Sequence, residues 1–202
     1  IDAEPKVLFE KLKNPSWKAC LESHRKALRQ VMVSNDSRAI IFEDDIDFSP
    51  DFPLQLRKIF EAVSGKFDII MLGHCAESDT GPLTAQITTN NYTVQLRKSQ
   101  HPYCGHAYAV SRIGARKMLE FLDARFGEQY GPWKGNVHFD STFSSLRVRK
   151  ALMYSVFPPI VIQRPTAGKS SSTHKKNFYD RPFGFTSVLD VVLSSREILV
   201  HL

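Results

Sequence analysis

Hydrophobic and polar positions along the first half of the chain predict helices that alternate with buried strands. Asn14-Pro15 places an N-cap residue before a proline at the first helical position, and apolar residues then recur at helical spacing. Ala39 to Phe42 and Phe67 to Leu72 are continuous apolar runs, which predict buried strands. Between these strands, Ser49-Pro50 repeats the cap-and-proline pattern and predicts a second amphipathic helix that ends near Gly65.

The second half of the chain predicts shorter elements. The stretch 76–91 is polar and rich in turn residues, which indicates a surface excursion. The predicted elements are a half-exposed strand at 92–96, a buried strand at 107–110, a helix capped by Ser111 with Ile113 inward, a helix after Asp140 with Val148 inward, a strand at 152–157 that 160–162 extends, and a helix within 185–202.

The order of these elements predicts an α/β fold. A strand, a helix and a strand joined by short connections are typical of a mostly parallel sheet with helices on both faces. We expect one domain over 1–165, followed at 166–202 by a basic, mobile segment and the C-terminal helix. In such a sheet, ligands bind at the carboxyl ends of the strands, where Glu43–Asp45 and Gly73-His74 both fall.

The first predicted strand runs into an acidic cluster. Four carboxylates, Glu43, Asp44, Asp45 and Asp47, fall within five residues. Because side chains two apart on a strand share a face, Glu43 and Asp45 are expected together and Asp44 apart. Like charges this close need a counter-charge, and a Mg²⁺-type cation that holds a phosphate is one candidate. The alternative is a solvated acidic turn.

The composition of the chain limits the classes of ligand and partner that it could bind. The chain has 202 residues and a net charge of +6, but its basic residues are scattered and no nucleic-acid-binding signature occurs. No apolar run approaches the ~20 residues of a membrane span. The three cysteines, Cys20, Cys75 and Cys104, lack metal-site spacing. Dinucleotide, P-loop and serine-hydrolase fingerprints are also missing from the sequence. An anionic small-molecule ligand therefore fits the charge best.

Several short motifs, in order, resemble glycosyltransferase family 25, which includes lipooligosaccharide and collagen hydroxylysine galactosyltransferases. The resemblance covers roughly residues 1–170, and the Gly73-His74-Cys75 form looks closest to fungal members. The motifs that carry it are Ser23-His24, Ile40 to Asp45, Ser49-Pro50-Asp51-Phe52, Met71 to His74, Ala107 to Arg112 with Gly114-Ala115, and Phe157-Pro158-Pro159.

The resemblance implies a GT-A-like (Rossmann-like) fold, a UDP-sugar donor, commonly UDP-galactose, Mn²⁺ or Mg²⁺, and inversion at the anomeric carbon. By position, Asp45 becomes the main metal ligand, Glu43 a metal or donor-binding residue, and Asp44 a weaker donor-side candidate. His24 becomes a donor-side residue, with a buried core histidine as the alternative. A late histidine often joins the metal in such enzymes, which makes His174 a candidate, with a solvated tail histidine as the favoured alternative.

The resemblance also implies an acidic residue near the acceptor, which matches Asp140. An inverting transfer needs a general base for the acceptor hydroxyl, and Asp140 is the candidate for that role. The alternative is that Asp140 only caps the helix that follows it. The acceptor itself, whether glycan, lipid-linked or protein, is not indicated by the sequence.

The family normally opens with a further strand and helix, and this chain is expected to begin after them. That expectation keeps a second hypothesis open, a catalytically inactive glycosyltransferase-like binding or scaffold protein. A metal-dependent phosphatase or nuclease would need more metal-spaced acids and histidines than the sequence has. The resemblance to eukaryotic members favours a Golgi or ER lumen, with a cytoplasmic location as the alternative. The sequons at Asn35 and Asn91 have meaning only if the chain enters a secretory lumen.

Overall fold

The computed structural model describes residues 15–75, 77, 80–90, 92–126, 139–164, 186–187 and 198–201. The helices in these ranges are α1 (Pro15–Val33), α2 (Phe52–Ala62), α3 (Arg112–Phe126) and α4 (Ser141–Val148). The strands are β1 (Arg38–Phe42), β2 (Ile46–Phe48), β3 (Ile69–Gly73), β4 (Leu83–Thr88), β5 (Thr93–Lys98), β6 (Ala107–Ser111), β7 (Met153–Phe157), β8 (Val161–Gln163), β9 (Thr186–Ser187) and β10 (Ile198–His201).

The main sheet has the strand order β10-β1-β6-β3-β7-β5-β4. Only β10 with β1 and β3 with β7 pair in parallel, and the other neighbours are antiparallel. The prediction of a mostly parallel sheet is therefore wrong, although the α/β class is confirmed. The physical reason is β6, which lies between β1 and β3 and runs against both of them, so the two strands do not pair with each other directly.

The insertion of β6 nevertheless leaves one part of the prediction intact. Because β1 and β3 are both antiparallel to β6, they run in the same direction. Their carboxyl ends, followed by Glu43 and His74, therefore lie at the same edge of the sheet. Polar residues that are distant in sequence are brought together there.

Helices cover both faces of the sheet, as predicted. One face packs against α1, α3 and α4, with Leu28, Ile41, Met71, Tyr108 and Phe143 among its buried residues. The other packs against α2, through residues that include Phe42, Phe52, Ile59, Leu72 and Val156. The side chains of successive residues on β1 alternate between these two cores, because neighbouring side chains on a strand point to opposite faces.

Several local predictions are wrong. Ile113 and Val148, expected to face inward, are 58% and 76% exposed, because their helices present other positions to the core. Val161–Gln163 does not extend β7. After the cis bond between Phe157 and Pro158, it pairs with β2 in a separate sheet of order β8-β2-β9.

Two further corrections concern strands that the pattern did not reveal. The excursion predicted at 76–91 contains β4, which pairs with β5. The C-terminal helix is not formed at 186–187 or 198–201, where the chain instead pairs with β2 and β1. None of the helices in the described ranges has the length and apolar character needed to cross a membrane.

Candidate active site

The acidic cluster forms the turn between β1 and β2. Glu43 and Asp45 are partly buried while Asp44 is exposed, so the predicted separation of their side chains holds, but a turn and not strand alternation produces it. The backbone of this turn is fixed at both ends. The Glu43 amide donates to the carbonyl of His106 at 2.9 Å, and the Arg164 amide donates to the carbonyl of Asp45 at 2.5 Å.

The carboxylates of this turn differ in their hydrogen-bond partners. Asp47 is buried, and its Oδ1 accepts a hydrogen bond from Arg164 Nε at 3.1 Å. Glu43 Oε2 accepts one from the amide of Gln163 at 2.9 Å. Asp45 Oδ1 is buried and has no hydrogen-bond partner among the described residues. Asp45 therefore retains an acceptor that a ligand could use.

Burial and neighbouring negative charges raise the pKa values of Glu43 and Asp45. Burial is the main reason that the pKa of Glu43 lies above its usual value, and Asp44 raises it further, while His106 and Gln163 act in the opposite direction. Burial also raises the pKa of Asp45, followed by the charges of Glu43 and Asp44. A cation bound at this turn would relieve both effects.

His24, on α1, is completely buried beside the turn. Its ring stacks on Phe139 with 3.7 Å between centroids, and its Nδ1 lies 3.1 Å from the hydroxyl of Tyr108. Its Nε2 faces Glu43 Oε1 at 3.8 Å, too far for a hydrogen bond, and has no other partner in the described part of the chain. Burial lowers the pKa of His24 to about 3, so the ring is neutral at physiological pH.

Asp140 occupies the N-cap position of α4, yet its side chain makes no capping hydrogen bond. Its charge instead acts on His24, whose pKa it raises against the larger effect of burial. It also contributes, after burial and Glu43, to the raised pKa of the Cys20 thiol. The fold therefore brings Asp140 into the neighbourhood of His24, Cys20 and Glu43, although it lies nearly a hundred residues after the acidic turn.

Three residues of this neighbourhood, Cys20, His106 and Gln163, were not assigned a role from the sequence. Cys20 precedes His24 by four residues on α1, a spacing that puts both on one helix face and could have revealed the pair. No signal in the sequence singles out Gln163, because β8 reaches the acidic turn only through its pairing with β2. His174 lies outside the described residues.

The comparison with known families agrees with the resemblance in the motifs. The model of glycosyltransferase family 25, described as an LPS biosynthesis protein, matches residues 14–126, which is more than half of the chain. The chain belongs to glycosyltransferase family 25. The match includes His24 and the acidic turn, whereas Asp140 and Gln163 lie beyond it. No curated protein matches the chain at a significant level.

In this family 25 protein, His106 stands where the two central strand ends meet. It is buried, and neither ring nitrogen makes a hydrogen bond of good geometry within the described ranges. A Cβ on Gly73 would lie 2.2 Å from His106 Nε2 and 2.7 Å from the carbonyl of Val161. Since real Cβ atoms do not approach so closely, only glycine fits at this strand end.

A disulfide closes this edge of the family 25 site. Cys75, two residues after β3, is bonded to Cys104, three residues before β6. The Cys75 amide also donates to the carbonyl of Tyr103 at 3.2 Å. Next to the disulfide, His74 is buried with its Nε2 2.9 Å from the carbonyl of Val156. The segments that follow β3 and precede β6 are thereby held together.

Proposed function

We propose that this protein is an inverting, metal-dependent glycosyltransferase that moves a sugar, most simply galactose, from a UDP-sugar to an acceptor hydroxyl on a glycan, a lipid-linked saccharide or a protein. Membership of glycosyltransferase family 25 supports glycosyl transfer. The observation that carries the donor site is the partly buried pair Glu43 and Asp45, whose raised pKa values and unpartnered Asp45 Oδ1 call for a cation.

The residues of the acidic turn fit a hard divalent cation. Mg²⁺ and Mn²⁺ prefer carboxylate oxygens and take one or two of them together with substrate phosphates. Asp45 offers a free buried oxygen, and Glu43 keeps one oxygen outside its bond to Gln163. When bound, Mn²⁺ or Mg²⁺ supplies positive charge that offsets the diphosphate leaving group. His174 is retained as a further proposed ligand.

The proposed donor side consists of His24, Glu43 and Asp44. His24 is neutral, so it would line the donor side as an uncharged ring beside Glu43 and add no charge. Asp44 is the exposed member of the turn and is positioned to meet a ligand from solvent. The net charge of +6 suits a donor that carries a diphosphate.

The proposed general base is Asp140. In the transfer, its carboxylate takes the proton of the acceptor hydroxyl while the hydroxyl oxygen forms the new bond to the anomeric carbon. The bond from that carbon to the diphosphate oxygen breaks with its electron pair, and UDP leaves on the opposite face. The support for this role is that the side chain of Asp140 does not cap α4 and acts on His24 instead.

The test of the donor site is a calorimetric titration of UDP, with and without Mn²⁺, into the wild-type protein and Asp45→Asn. We expect Mn²⁺-dependent binding that Asp45→Asn weakens at least about 10-fold. Glu61→Gln is the matched control, because it removes one carboxylate charge from the exposed face of α2.

Binding of UDP that ignores both the metal and Asp45→Asn would contradict this assignment of the donor site. Absence of UDP binding would favour the alternative function, an inactive glycosyltransferase-like scaffold. The titration needs no knowledge of the acceptor, which makes it the first experiment to perform.

The proposal includes a Golgi or ER lumen as the location, with a cytoplasmic one as the alternative. The disulfide between Cys75 and Cys104 supports it, because disulfides persist in oxidising compartments. Asn35, the acceptor of the first sequon, is exposed between α1 and β1. Asn91 lies outside the described residues. Loss of mass on enzymatic deglycosylation would separate the two locations.

A further inference from the structure

Three metal-ligand types meet on the helix side of the acidic turn. One ligand atom each from Cys20, His24 and Glu43 lies within 4.8 Å of the other two. We propose that these residues form a second cation site, selective for zinc-type ions, which shares Glu43 with the oxygen site proposed at Asp45 but does not use Asp45 as a ligand. This inference does not depend on the proposed function, because a binding protein without activity could hold the same ion.

The position of His24 Nε2 is the strongest argument for the site. This nitrogen is buried and has no hydrogen-bond partner in the described residues, which is costly inside a protein. It faces Glu43 Oε1 at 3.8 Å. Zinc bonds of about 2.0 Å at the tetrahedral angle separate nitrogen and oxygen ligands by about 3.3 Å. A small shift of either side chain would place both atoms on one ion.

The other ring nitrogen of His24 is already arranged as metal-bound histidines require. Such histidines direct the second ring N–H to a neighbouring oxygen, which fixes the tautomer and the orientation of the ring. Nδ1 lies 3.1 Å from the hydroxyl of Tyr108, and the ring is held by its stack on Phe139. With Nδ1–H donating to Tyr108, Nε2 carries the lone pair that a cation needs.

The ligand chemistry selects the ion. A thiolate and an imidazole favour Zn²⁺ or Co²⁺ over Mg²⁺ and Mn²⁺, which prefer oxygen ligands. Binding would displace the proton of the Cys20 thiol. The other cysteine-containing group in the described ranges, Cys75 and Cys104 with His106, offers no comparable site because its two sulfurs are joined in a disulfide.

The cluster lies close to the protein surface. Cys20 is half-buried and the Glu43 side chain is 24% exposed, whereas His24 is fully buried. Asp140 acts on Cys20 and His24 and adds negative potential to the site. Three protein ligands leave a fourth tetrahedral position for water.

The test is a titration of the metal-free wild-type protein with Co²⁺, without reductant so that the disulfide stays closed. Tetrahedral Co²⁺ bound to a thiolate gives visible d–d bands and a near-ultraviolet charge-transfer band. We expect both bands to saturate at one Co²⁺ per chain and to disappear when Zn²⁺ is added. A wild-type protein that shows no charge-transfer band at excess Co²⁺ would overturn the proposal.

Variants identify the ligands. Cys20→Ala should remove the charge-transfer band and weaken Zn²⁺ binding by more than about 10-fold. Alanine is the best helix former, so α1 should be retained, which circular dichroism would verify. Glu43→Gln, of similar size, should weaken binding while keeping the band. Persistence of the band in Cys20→Ala would overturn the site.

Asp45→Asn separates this site from the proposed donor site. It should leave the Co²⁺ bands in place even though it weakens Mn²⁺-dependent UDP binding. Loss of the bands in Asp45→Asn would show that the two sites are one and would overturn the proposal of a separate zinc-type site. Loss of UDP binding alone would leave the zinc-type site intact, so the two proposals can fail independently.

Discussion

Asp68 and Asp45 lie at opposite edges of the main sheet, and their carboxylates are in contrasting surroundings. Asp68, just before β3, is 5% exposed, and its Oδ2 accepts bonds from the Leu152 amide at 2.7 Å and Lys117 Nζ at 2.6 Å. Asp45, in the turn after β1, has a buried oxygen that accepts no hydrogen bond from any residue that the structure describes, and it has acidic neighbours on its own turn. The first site is chemically complete and the second is not.

A third buried acid shows that the difference is not a general weakness of the fold. Glu77 is buried and its charge acts on His74, yet Ser99 Oγ donates to it at 2.5 Å, the Gln100 amide at 2.8 Å, and Ser155 Oγ also donates to it. Buried polar groups in native proteins are usually satisfied, and exceptions need an explanation. Ligand binding is the explanation we propose for the turn.

The largest effect should come from Asp140→Asn, which tests whether Asp140, near the acidic turn, takes part in glycosyl transfer. Asparagine has nearly the same size and shape as aspartate but cannot act as a base, so the proposed base is lost with little change in the packing around α4. The rate of UDP release from UDP-galactose, with a hydroxylysine peptide as a probe acceptor, should fall by about 10² to 10⁴. Mn²⁺-dependent UDP binding should be unchanged.

The same assay contains its own controls. Glu61→Gln, on the far face of α2, should release UDP at the wild-type rate. Proton NMR of the first product from the α-linked donor should show a β-linkage, because the proposal requires inversion. A wild-type rate in Asp140→Asn would contradict the assignment of Asp140 as the general base.

The next largest effect is on stability, at the fully hydrogen-bonded Asp68. Asp68→Ala removes the acceptor of the buried Leu152 amide, and we expect the free energy of unfolding to fall by about 2–3 kcal/mol. Most of this loss comes from the backbone bond, because the Lys117 side chain is 44% exposed and its ion pair is weakened by solvent.

Asp45→Ala is the matched variant in the acidic turn. It removes a carboxylate that has an unpartnered oxygen and like-charged neighbours, so the loss of stability should stay below about 1 kcal/mol. Urea denaturation of both variants measures the difference. The contrast between the two edges would be wrong if Asp45→Ala were the more destabilising of the two.

The sequence predicts the buried strands of this fold well, but it does not predict which strands pair with each other. The apolar runs of β1, β3 and β6 identify buried strands, because such runs reflect burial on both faces. Which strands pair depends on contacts far apart in sequence, and the position of β6 between β1 and β3 leaves no local trace. The exposed side chain of Val148 shows in the same way that a short helix has too few turns to fix its buried face.

For the site, residue chemistry was easier to predict than residue contacts. The crowding of Glu43 and Asp45 is visible in the sequence, because adjacent like charges need a counter-charge wherever they occur. The family resemblance added His24 and Asp140. The contact of Gln163 with Glu43 depends on β8 leaving the main sheet to pair with β2, which the pattern at 160–162 does not predict.

The smallest expected effect is the pH dependence of the stability contributed by Glu43, which sharpens the comparison between the acidic turn and Asp68. Burial raises the pKa of Glu43 in the folded protein above its ordinary value of 4.5. The folded state therefore holds this proton more tightly than the unfolded state, so Glu43 contributes stability below pH 4.5, and this contribution is lost as the pH rises through the folded pKa.

Glu43→Gln removes this titration while keeping the size of the side chain and a partner for Gln163. Its free energy of unfolding, relative to wild type, should therefore improve steadily from pH 4 to pH 7, by less than the loss expected for Asp68→Ala. Added Mn²⁺ and UDP should make the wild type more stable than Glu43→Gln, because they stabilise only a protein that binds them. If Glu43→Gln were instead less stable at neutral pH without ligand, the carboxylate would be satisfied by the fold itself, and the acidic turn would resemble the Asp68 edge.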